Sequence, residues 1–370
     1  MKYNKLRDDL ALGRLSRRDL TKLMAAAGVA MVTMPLTRGA RAAAGDLTYF
    51  TWSGYDLPGF FPQYVEKHGG PPATALFSDE EEALQKLRAG FECDVAHPCS
   101  ARTRRWREAG VIQSFDTSRL SNWGDVFPKL KSINGADADG KQWFAPVDWG
   151  NTSVIYRTDL FDLQGQPESW TMLWDDRYAG KLSIGEDITD TGVIIGLLIG
   201  AKNPYQLTDD ELNQVREMLQ KQKPLLRFYW SDTTALEQAM ASGEVVASSA
   251  WNSSVVTLRC QGVPVAYANP KEGILAWCCG LVVTSTSKQL DLAHDLIDAM
   301  ISPEAGQWLI TEYGYGHSNK KAFELVDAAT LEEIGLPSDP SEMFAKAVFS
   351  QENTRLEELQ QIFEEVKAGL

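Results

Sequence analysis

A regular alternation of short strand-like and helix-like segments is the feature that most limits how this chain can fold. Strand patterns at 47–52 and 93–97 are separated by amphipathic segments at 60–68 and 80–89, and a helical pattern follows at 101–108. This order predicts a mostly parallel sheet with helices packed on its faces. With 370 residues, of which 44% are hydrophobic, the chain is long enough for two lobes of ordinary domain size.

The same alternation resumes in the second half of the chain. Strand patterns occur at 154–156, 182–184, 244–250, 263–267 and 280–284. Helical patterns occur at 192–200, 207–221, 235–241, 291–301 and 356–368. Thr208 followed by Glu211 predicts a capping box at the start of one helix. Because no long linker separates the two halves, we expect strands that cross between two lobes.

Residues 1–42 have the three-part layout of an export signal. Arg17 and Arg18 precede an apolar stretch that is shorter than the roughly 20 residues a membrane-spanning helix needs. The paired arginines predict a twin-arginine signal, and small residues predict cleavage after Ala42 or Ala44. We therefore expect a periplasmic protein, the alternative being an uncleaved anchor helix.

Net charge limits the partners of the chain. The formal charge is −14, and removal of residues 1–42 takes away nine Lys/Arg and three Asp/Glu, which leaves −20. Such a surface repels nucleic acid and anionic lipid and mildly favours cationic ligands. The same acidity also serves solubility alone, so it does not identify a ligand by itself.

The sequence offers little support for catalysis. It contains no Gly-x-Ser-x-Gly, no His-Glu-x-x-His and no phosphate-cradling glycine loop. Asp187 and Asp190 resemble a carboxylate pair for acid–base chemistry, but nothing else in the chain favours a glycosidase. We expect neither an enzyme nor a bound cofactor.

Five cysteines stand at positions 93, 99, 260, 278 and 279. An odd number leaves at least one thiol outside any disulfide within the chain. Cys278 and Cys279 are poor partners for each other, since neighbouring strand residues point to opposite faces. We expect a Cys99–Cys279 disulfide and leave other pairings open. A metal site built with His97 and His317 is the competing idea, but the ligand spacing fits no recognised type.

Aromatic and acidic residues recur directly after the predicted strands. In open α/β sheets, ligands bind beyond the carboxyl ends of the strands, so these loops are where a site is expected. The segments are Trp52-Ser53-Gly54-Tyr55, Pro98-Cys99-Ser100, Asp148-Trp149-Gly150, Gly185-Glu186-Asp187-Ile188-Thr189-Asp190, Trp251-Asn252-Ser253 and Trp277-Cys278-Cys279.

The chemistry of this set suits an alkylammonium ligand. An indole face attracts a cation placed over the ring, which contributes roughly 0.5–2 kcal/mol. Carboxylates hold amines through charge-assisted hydrogen bonds. For any single tryptophan, packing in the core is the better interpretation, whereas four tryptophans after predicted strands favour a binding site.

Taken in chain order, these residues resemble the spermidine/putrescine-binding proteins of bacterial ABC transporters. The resemblance extends from Asp46 to Gly369. It is carried by Tyr49-Phe50-Thr51-Trp52, Arg107-Glu108-Ala109-Gly110-Val111-Ile112-Gln113, Trp149-Gly150, Ser169-Trp170, Leu173-Trp174, Tyr178, Gly180, Trp251-Asn252-Ser253, Pro270-Lys271-Glu272-Gly273, Trp277 and Gly314-Tyr315.

The resemblance implies an α/β periplasmic-binding-protein type II fold, with two lobes joined by crossing strands and a ligand cleft between them. The first lobe would comprise 43–148 with about 279–325, and the second 149–278 with about 326–370. We expect a monomer that closes on a small cationic amine and delivers it to an inner-membrane ABC permease. The alternative is a receptor of the same fold for a quaternary ammonium, an amino-acid derivative or a sugar.

The resemblance also implies a set of ligand-binding residues. Trp52, Ser53 and Tyr55 would line the cleft from the first lobe with Ser100 at its rim, and Trp251 and Trp277 would supply aromatic walls. The remaining members of the set are Asp187 and Asp190 as amine-holding carboxylates, with Tyr315, Gln351, Asp148, Trp149 and Cys279.

Three positions depart from the family pattern. Gly54 and Cys279 stand where the family has carboxylates, and Ala101 stands where it has a tyrosine. A buried ammonium without a partner costs several kcal/mol, so we do not expect spermidine to be accepted unchanged. Asp148 is the candidate to replace one lost carboxylate; otherwise the ligand would have a single cationic end.

Overall fold

The computed structural model describes residues 47–186 and 188–369. Its strands are β1 Thr48–Trp52, β2 Ala73–Phe77, β3 Val95–Ala96, β4 Ile112–Gln113, β5 Asp137–Ala138, β6 Lys141–Gln142, β7 Ala145–Arg157, β8 Leu182–Gly185, β9 Leu226–Trp230, β10 Ala247–Trp251, β11 Val265–Tyr267, β12 Leu275–Thr284, β13 Gly316–His317 and β14 Val348–Phe349.

Helices of varying length connect these strands. They are α1 Pro62–His68, α2 Glu80–Arg88, α3 Thr103–Glu108, α4 Pro128–Lys131, α5 Ile188–Leu198, α6 Asp209–Gln222, α7 Thr233–Ser242, α8 Asn252–Cys260, α9 Leu290–Met300, α10 Pro303–Tyr313, α11 Lys320–Glu324, α12 Ala328–Glu333, α13 Ser341–Lys346 and α14 Leu356–Ala368. Within the described residues, none of them combines the length and apolar character that crossing a membrane requires.

Two long strands, β7 and β12, lie at the centre of one large sheet. Its main path runs β2-β1-β3-β12-β7-β10-β8-β9. The end of β12 pairs with β3 and β4, whereas its first seven residues run antiparallel to β7. The second half of β7 pairs with β10 and β11. The two strands therefore carry the chain from one half of the sheet to the other, as the sequence led us to expect.

Local signals explain where several helices begin. The Asp79 side chain accepts the Glu82 backbone N–H at the start of α2. The predicted capping box is confirmed at the start of α6, because Thr208 and Glu211 satisfy each other's backbone N–H groups. The C-terminal helix has the predicted bounds of 356–368.

The predicted strands 154–156 and 280–284 are the ends of much longer strands. β7 is buried over nearly its whole length, and so is β12. The expected loops at Asp148-Trp149-Gly150 and Trp277-Cys278-Cys279 are therefore wrong, since both triplets lie inside a strand. A strand buried on both faces lacks the polar–apolar alternation that marks strands in a sequence.

Hydrophobic clusters cover both halves of the sheet. One joins Phe50 and Trp149 to residues of the late segment, including Leu331 and Phe344. Another joins α5 and α6 to α14 through residues such as Leu359. The late segment up to Phe349 thus packs with β1, while α14 packs beside α5 and α6. The predicted boundaries of the two lobes stay a prediction.

Candidate functional site

Two pockets share Asp190 in their walls. The larger has a volume of about 920 Å³ and includes Trp277 and Gln351 in its lining. The smaller, of about 410 Å³, includes Trp251. The structure thus brings four of the predicted ligand-binding residues to one region, with the Asp190 side chain common to both cavities.

Asp190 is placed by the junction between β8 and α5. The strand ends at Gly185, the helix begins at Ile188, and Asp190 lies in its first turn. This corrects the expected loop over 185–190. A helix N-terminus stabilises a carboxylate, and the Thr152 hydroxyl on β7 donates a hydrogen bond to Asp190 Oδ2 at 3.1 Å. Asp187, the other predicted carboxylate, lies outside the described residues.

Two indole rings dominate the smaller pocket. Trp251 is the last residue of β10, and its side chain is 42% exposed. Its ring centroid lies 5.5 Å from that of Trp230 on β9, with an interplanar angle of 89°. Glu186 also lines this pocket and forms a 2.8 Å ion pair with Lys367. The pocket therefore combines aromatic faces with two carboxylates.

Trp277 reaches the larger pocket because its partner on β7 is a glycine. The register pairs Trp277 with Gly150, and a Cβ atom at residue 150 would lie 2.2 Å from the indole ring. The ring also makes a T-shaped contact with Tyr315, at a centroid distance of 5.0 Å. Any side chain at position 150 would displace the indole. The predicted residues Trp277 and Tyr315 are thus in contact.

The lining of the larger pocket carries more acidic than basic groups. It includes the carboxyl groups of Glu80, Asp190, Glu352, Glu357 and Glu358 and the guanidinium groups of Arg102 and Arg105. Burial raises the pKa of the Glu80 carboxyl, which accepts the Cys99 backbone N–H at 2.6 Å. The excess of carboxyl groups favours a cationic guest.

The predicted disulfide between Cys99 and Cys279 is confirmed. It joins the loop after β3 to β12, and Cys99 lines the larger pocket. An uncharged disulfide therefore stands where the family resemblance implies a carboxylate. The competing metal site loses two thiolates to this bond, and no group of three or more His, Cys, Asp or Glu side chains that could hold a metal ion occurs among the described residues.

Asp148 belongs to a separate, buried polar cluster. Its side chain is 1% exposed, and Tyr55 donates a hydrogen bond to Oδ2 at 2.8 Å. His97 Nε2 lies 3.1 Å from Oδ1, and His97 Nδ1 lies 2.9 Å from the Tyr49 hydroxyl. Burial, and then the neighbouring Asp148 charge, raise the pKa of Tyr55. Both oxygens of Asp148 thus have protein partners, and Asp148 is not among the described residues that line the two pockets.

The remaining predicted residues lie outside the described linings of both pockets. Trp149 is fully buried, with its ring 4.9 Å from that of Phe344. Ser100 is buried as well and accepts a hydrogen bond from Asn134 at 3.0 Å. Trp52 is half-buried against Phe77, and Ser53 is exposed. Their predicted ligand roles stay predictions.

Sequence reasoning missed five residues of the smaller pocket, namely Thr152, Thr191, Trp230, Ser231 and Ser249. Trp230 ends β9, so the rule that placed the other tryptophans after strands applies to it as well. The strand itself was not predicted, because its burial pattern is mixed and shows no clear alternation. Thr152 carries no local signal, since it lies within the uniformly buried β7.

Comparison with known proteins decides the family. The family model of bacterial extracellular solute-binding proteins matches residues 64–335. The chain belongs to this family. A spermidine/putrescine-binding periplasmic protein of Salmonella typhimurium is 25% identical over 304 residues, which cover 81% of this chain and 85% of the relative. A putrescine-binding periplasmic protein of Escherichia coli K12 is 26% identical over 333 residues, which cover 84% and 89%.

Solved structures confirm the fold of this solute-binding protein. The spermidine/putrescine ABC transporter substrate-binding protein from Streptococcus pneumoniae superposes with a TM-score of 0.73 at 20% identity. The match covers 87% of this chain and 98% of the pneumococcal one. The predicted family resemblance and fold class are both confirmed.

Proposed function

We propose that this protein is the periplasmic receptor of an ABC importer and that it binds a polyamine, or a related small organic cation, around Asp190. The observation that carries the proposal is the sharing of Asp190 by two pockets, one walled by Trp251 and the other by Trp277. Indole faces and a carboxylate are the groups that hold an alkylammonium. The names of the relatives from Salmonella and Escherichia support the same ligand class.

Electrostatics favour this ligand over an anion. The described lining of the larger pocket has five carboxyl groups and two guanidinium groups. The smaller pocket has two carboxyl groups, and no Lys or Arg is among the described residues that line it. Walls of one sign concentrate ligands of the opposite sign.

Binding would be coupled to closure of two lobes around the crossing strands. Each lobe would include one half of the sheet, but the segment 326–349, which the sequence assigns to the second lobe, would belong to the first. The segment up to Phe349 would move with the first lobe, because it packs in the same cluster as Phe50. The closed form would dock on the permease as a monomer, without catalysis or a cofactor.

Residues 1–42 would direct export by the twin-arginine route, with cleavage after Ala42 or Ala44.

Calorimetric titration of the purified protein tests the proposal. Putrescine and spermidine are the probes, and 1,4-butanediol is the uncharged control. We expect saturable binding of at least one amine and none of the diol. Asp190→Asn should weaken amine binding by about tenfold to a hundredfold, since a hydrogen bond to a charged group contributes roughly 1.5–3 kcal/mol.

The matched control is Asp210→Asn. Asp210 is an exposed carboxylate in the first turn of α6, outside both described linings, so its loss should leave affinity unchanged. Absence of binding by the folded wild-type protein to either amine would refute the proposed function. Equal affinities for the wild type and Asp190→Asn would refute the proposed site.

A further inference from the structure

The smaller pocket has the composition of a site for a cationic head group. It contains the indoles of Trp230 and Trp251 and the carboxylates of Glu186 and Asp190. No Lys or Arg from the described residues shares that lining. Neither the sequence pattern nor the family resemblance assigns a ligand role to Trp230, so this residue is the new element of the site.

The two indoles form a rigid corner. Their centroids are 5.5 Å apart at an interplanar angle of 89°, so the two ring planes are nearly perpendicular. The Trp230 Nε1–H donates to the Ser249 carbonyl at 2.9 Å, which fixes the orientation of that ring. The Trp230 side of this corner is therefore fixed by the protein before any ligand arrives.

Exposure and charge indicate what the corner would bind. The Trp251 side chain is 42% exposed, which is high for a tryptophan in a cavity wall. Glu186 is paired with Lys367 at 2.8 Å, and Asp190 accepts a hydrogen bond from Thr152 at 3.1 Å. Asp190 also faces the larger pocket. A ligand whose head occupied the corner could therefore extend past Asp190 towards Trp277.

We propose that the smaller pocket is a head-group subsite for an alkylammonium, primary or N-methylated. Trp230 contacts the head together with Trp251, and Asp190 supplies the counter-charge. This inference rests on the proposed function and deepens it, because it names the part of the site that holds one end of the cation. It makes Trp230 a specificity-determining residue.

Two probes separate the aromatic contribution from the carboxylate contribution. Putrescine presents primary ammonium heads that donate hydrogen bonds to a carboxylate. Its bis-trimethylammonium analogue cannot donate and depends on the indole faces. Trp230→Leu should weaken binding of the trimethylated probe by about tenfold and binding of putrescine by about threefold. Asp190→Asn should have the opposite effect. It should weaken putrescine binding by about tenfold or more, and it should weaken binding of the trimethylated probe less.

A purely structural role for Trp230 would weaken both probes by the same factor, and this result would overturn the inference. So would wild-type protein that binds putrescine but shows no binding of the trimethylated probe. Trp230→Phe keeps an aromatic face, so it should shift the ratio of the two affinities in the same direction as Trp230→Leu, but less. This variant decides the question if Trp230→Leu does not fold.

Trp143→Leu is the matched control. Trp143 is half-buried, donates its Nε1–H to the Ala138 carbonyl at 3.3 Å and lies outside both described linings. We expect it to change neither affinity. If the folded wild type binds neither of these probes nor spermidine, the proposed function itself fails. If the wild type binds both probes and substitution of Trp230 does not change the ratio of the two affinities, only this inference fails.

Discussion

Asp148 and Asp190 are both aspartates beside aromatic residues, yet the structure places them in opposite surroundings. Asp148 is 1% exposed, and both of its oxygens meet protein groups, namely Tyr55 and His97. Asp190 is half-buried and lines two pockets. A carboxylate whose oxygens are satisfied inside the protein supports the fold, whereas one that lines a cavity is placed to meet a ligand. Mutation of Asp148 should therefore change stability, whereas mutation of Asp190 should change ligand affinity.

The largest expected effect is on stability, from Asp148→Ala. The change leaves the Tyr55 hydroxyl and His97 Nε2 without a shared acceptor in a buried position. We expect the free energy of unfolding to fall by about 3–5 kcal/mol, measured by chemical denaturation. A variant that is as stable as the wild type but has lost amine binding would reverse the roles assigned to the two aspartates.

Acid should destabilise the Asp148 region through His317, which pairs with Asp148 in the sheet register. Burial lowers the pKa of His317 to about 4. Between pH 6.5 and 4 the unfolded chain therefore binds a proton that the folded protein does not, and stability falls as the pH decreases. The effect reaches about 1.4 kcal/mol per pH unit, or about 3 kcal/mol in total.

The test compares the wild type with His317→Gln in denaturation curves at pH 7, 5.5 and 4.5. The variant lacks the titrating ring, so its unfolding free energy should depend less steeply on pH over this range. Identical slopes for the two proteins would show that His317 does not contribute to acid sensitivity. Amine affinity at pH 7 should be similar in both proteins if each remains folded.

The next effect is on affinity, from Trp277→Leu in the larger pocket. Removal of the indole eliminates a cation–π contact of roughly 0.5–2 kcal/mol, so putrescine binding should weaken about three- to thirtyfold. The free energy of unfolding should fall less than it does for Asp148→Ala, since Trp277 is only half-buried. Calorimetry checks the affinity, and unchanged binding would remove Trp277 from the site.

The smallest effect is expected from Tyr55→Phe. This substitution removes the 2.8 Å hydrogen bond to Asp148 but keeps the ring stacked on Phe60, at a centroid distance of 4.7 Å. Stability should fall by about 1 kcal/mol, the usual net contribution of one hydrogen bond. The resemblance also implies that Tyr55 lines the cleft, so a large loss of putrescine affinity would favour that role over the structural one.

Much of the site could be predicted because its signals are local. Trp251 ends a strand, and Asp190 follows β8 closely. Elsewhere in the fold, Thr208 and Glu211 form the predicted capping box for the same reason. Whether a tryptophan belongs to the core or to a pocket could not be predicted. Trp149 and Trp277 both lie in buried strands, and each has a glycine opposite its ring, Gly316 and Gly150 respectively. They differ in distant contacts that the sequence does not show, since Trp149 packs against Phe344 whereas Trp277 lines the larger pocket.

Contacts between distant parts of the chain account for the rest. The cluster around Asp148 joins residues from β1, the end of β3 and β7, and no spacing in the sequence brings His97 to Asp148. Trp230 was missed because β9 has no clear alternation. Local chemistry thus indicated the kind of ligand, but the partners of each carboxylate depended on the sheet register.

A crystal structure of the protein grown with putrescine tests the central claim most directly. The account predicts an ammonium nitrogen within hydrogen-bonding distance of the Asp190 carboxylate, with the alkyl chain bounded by Trp251 or Trp277, and an Asp148 that still contacts Tyr55 and His97. A diamine bound away from Asp190, or held instead by Asp148, would contradict it.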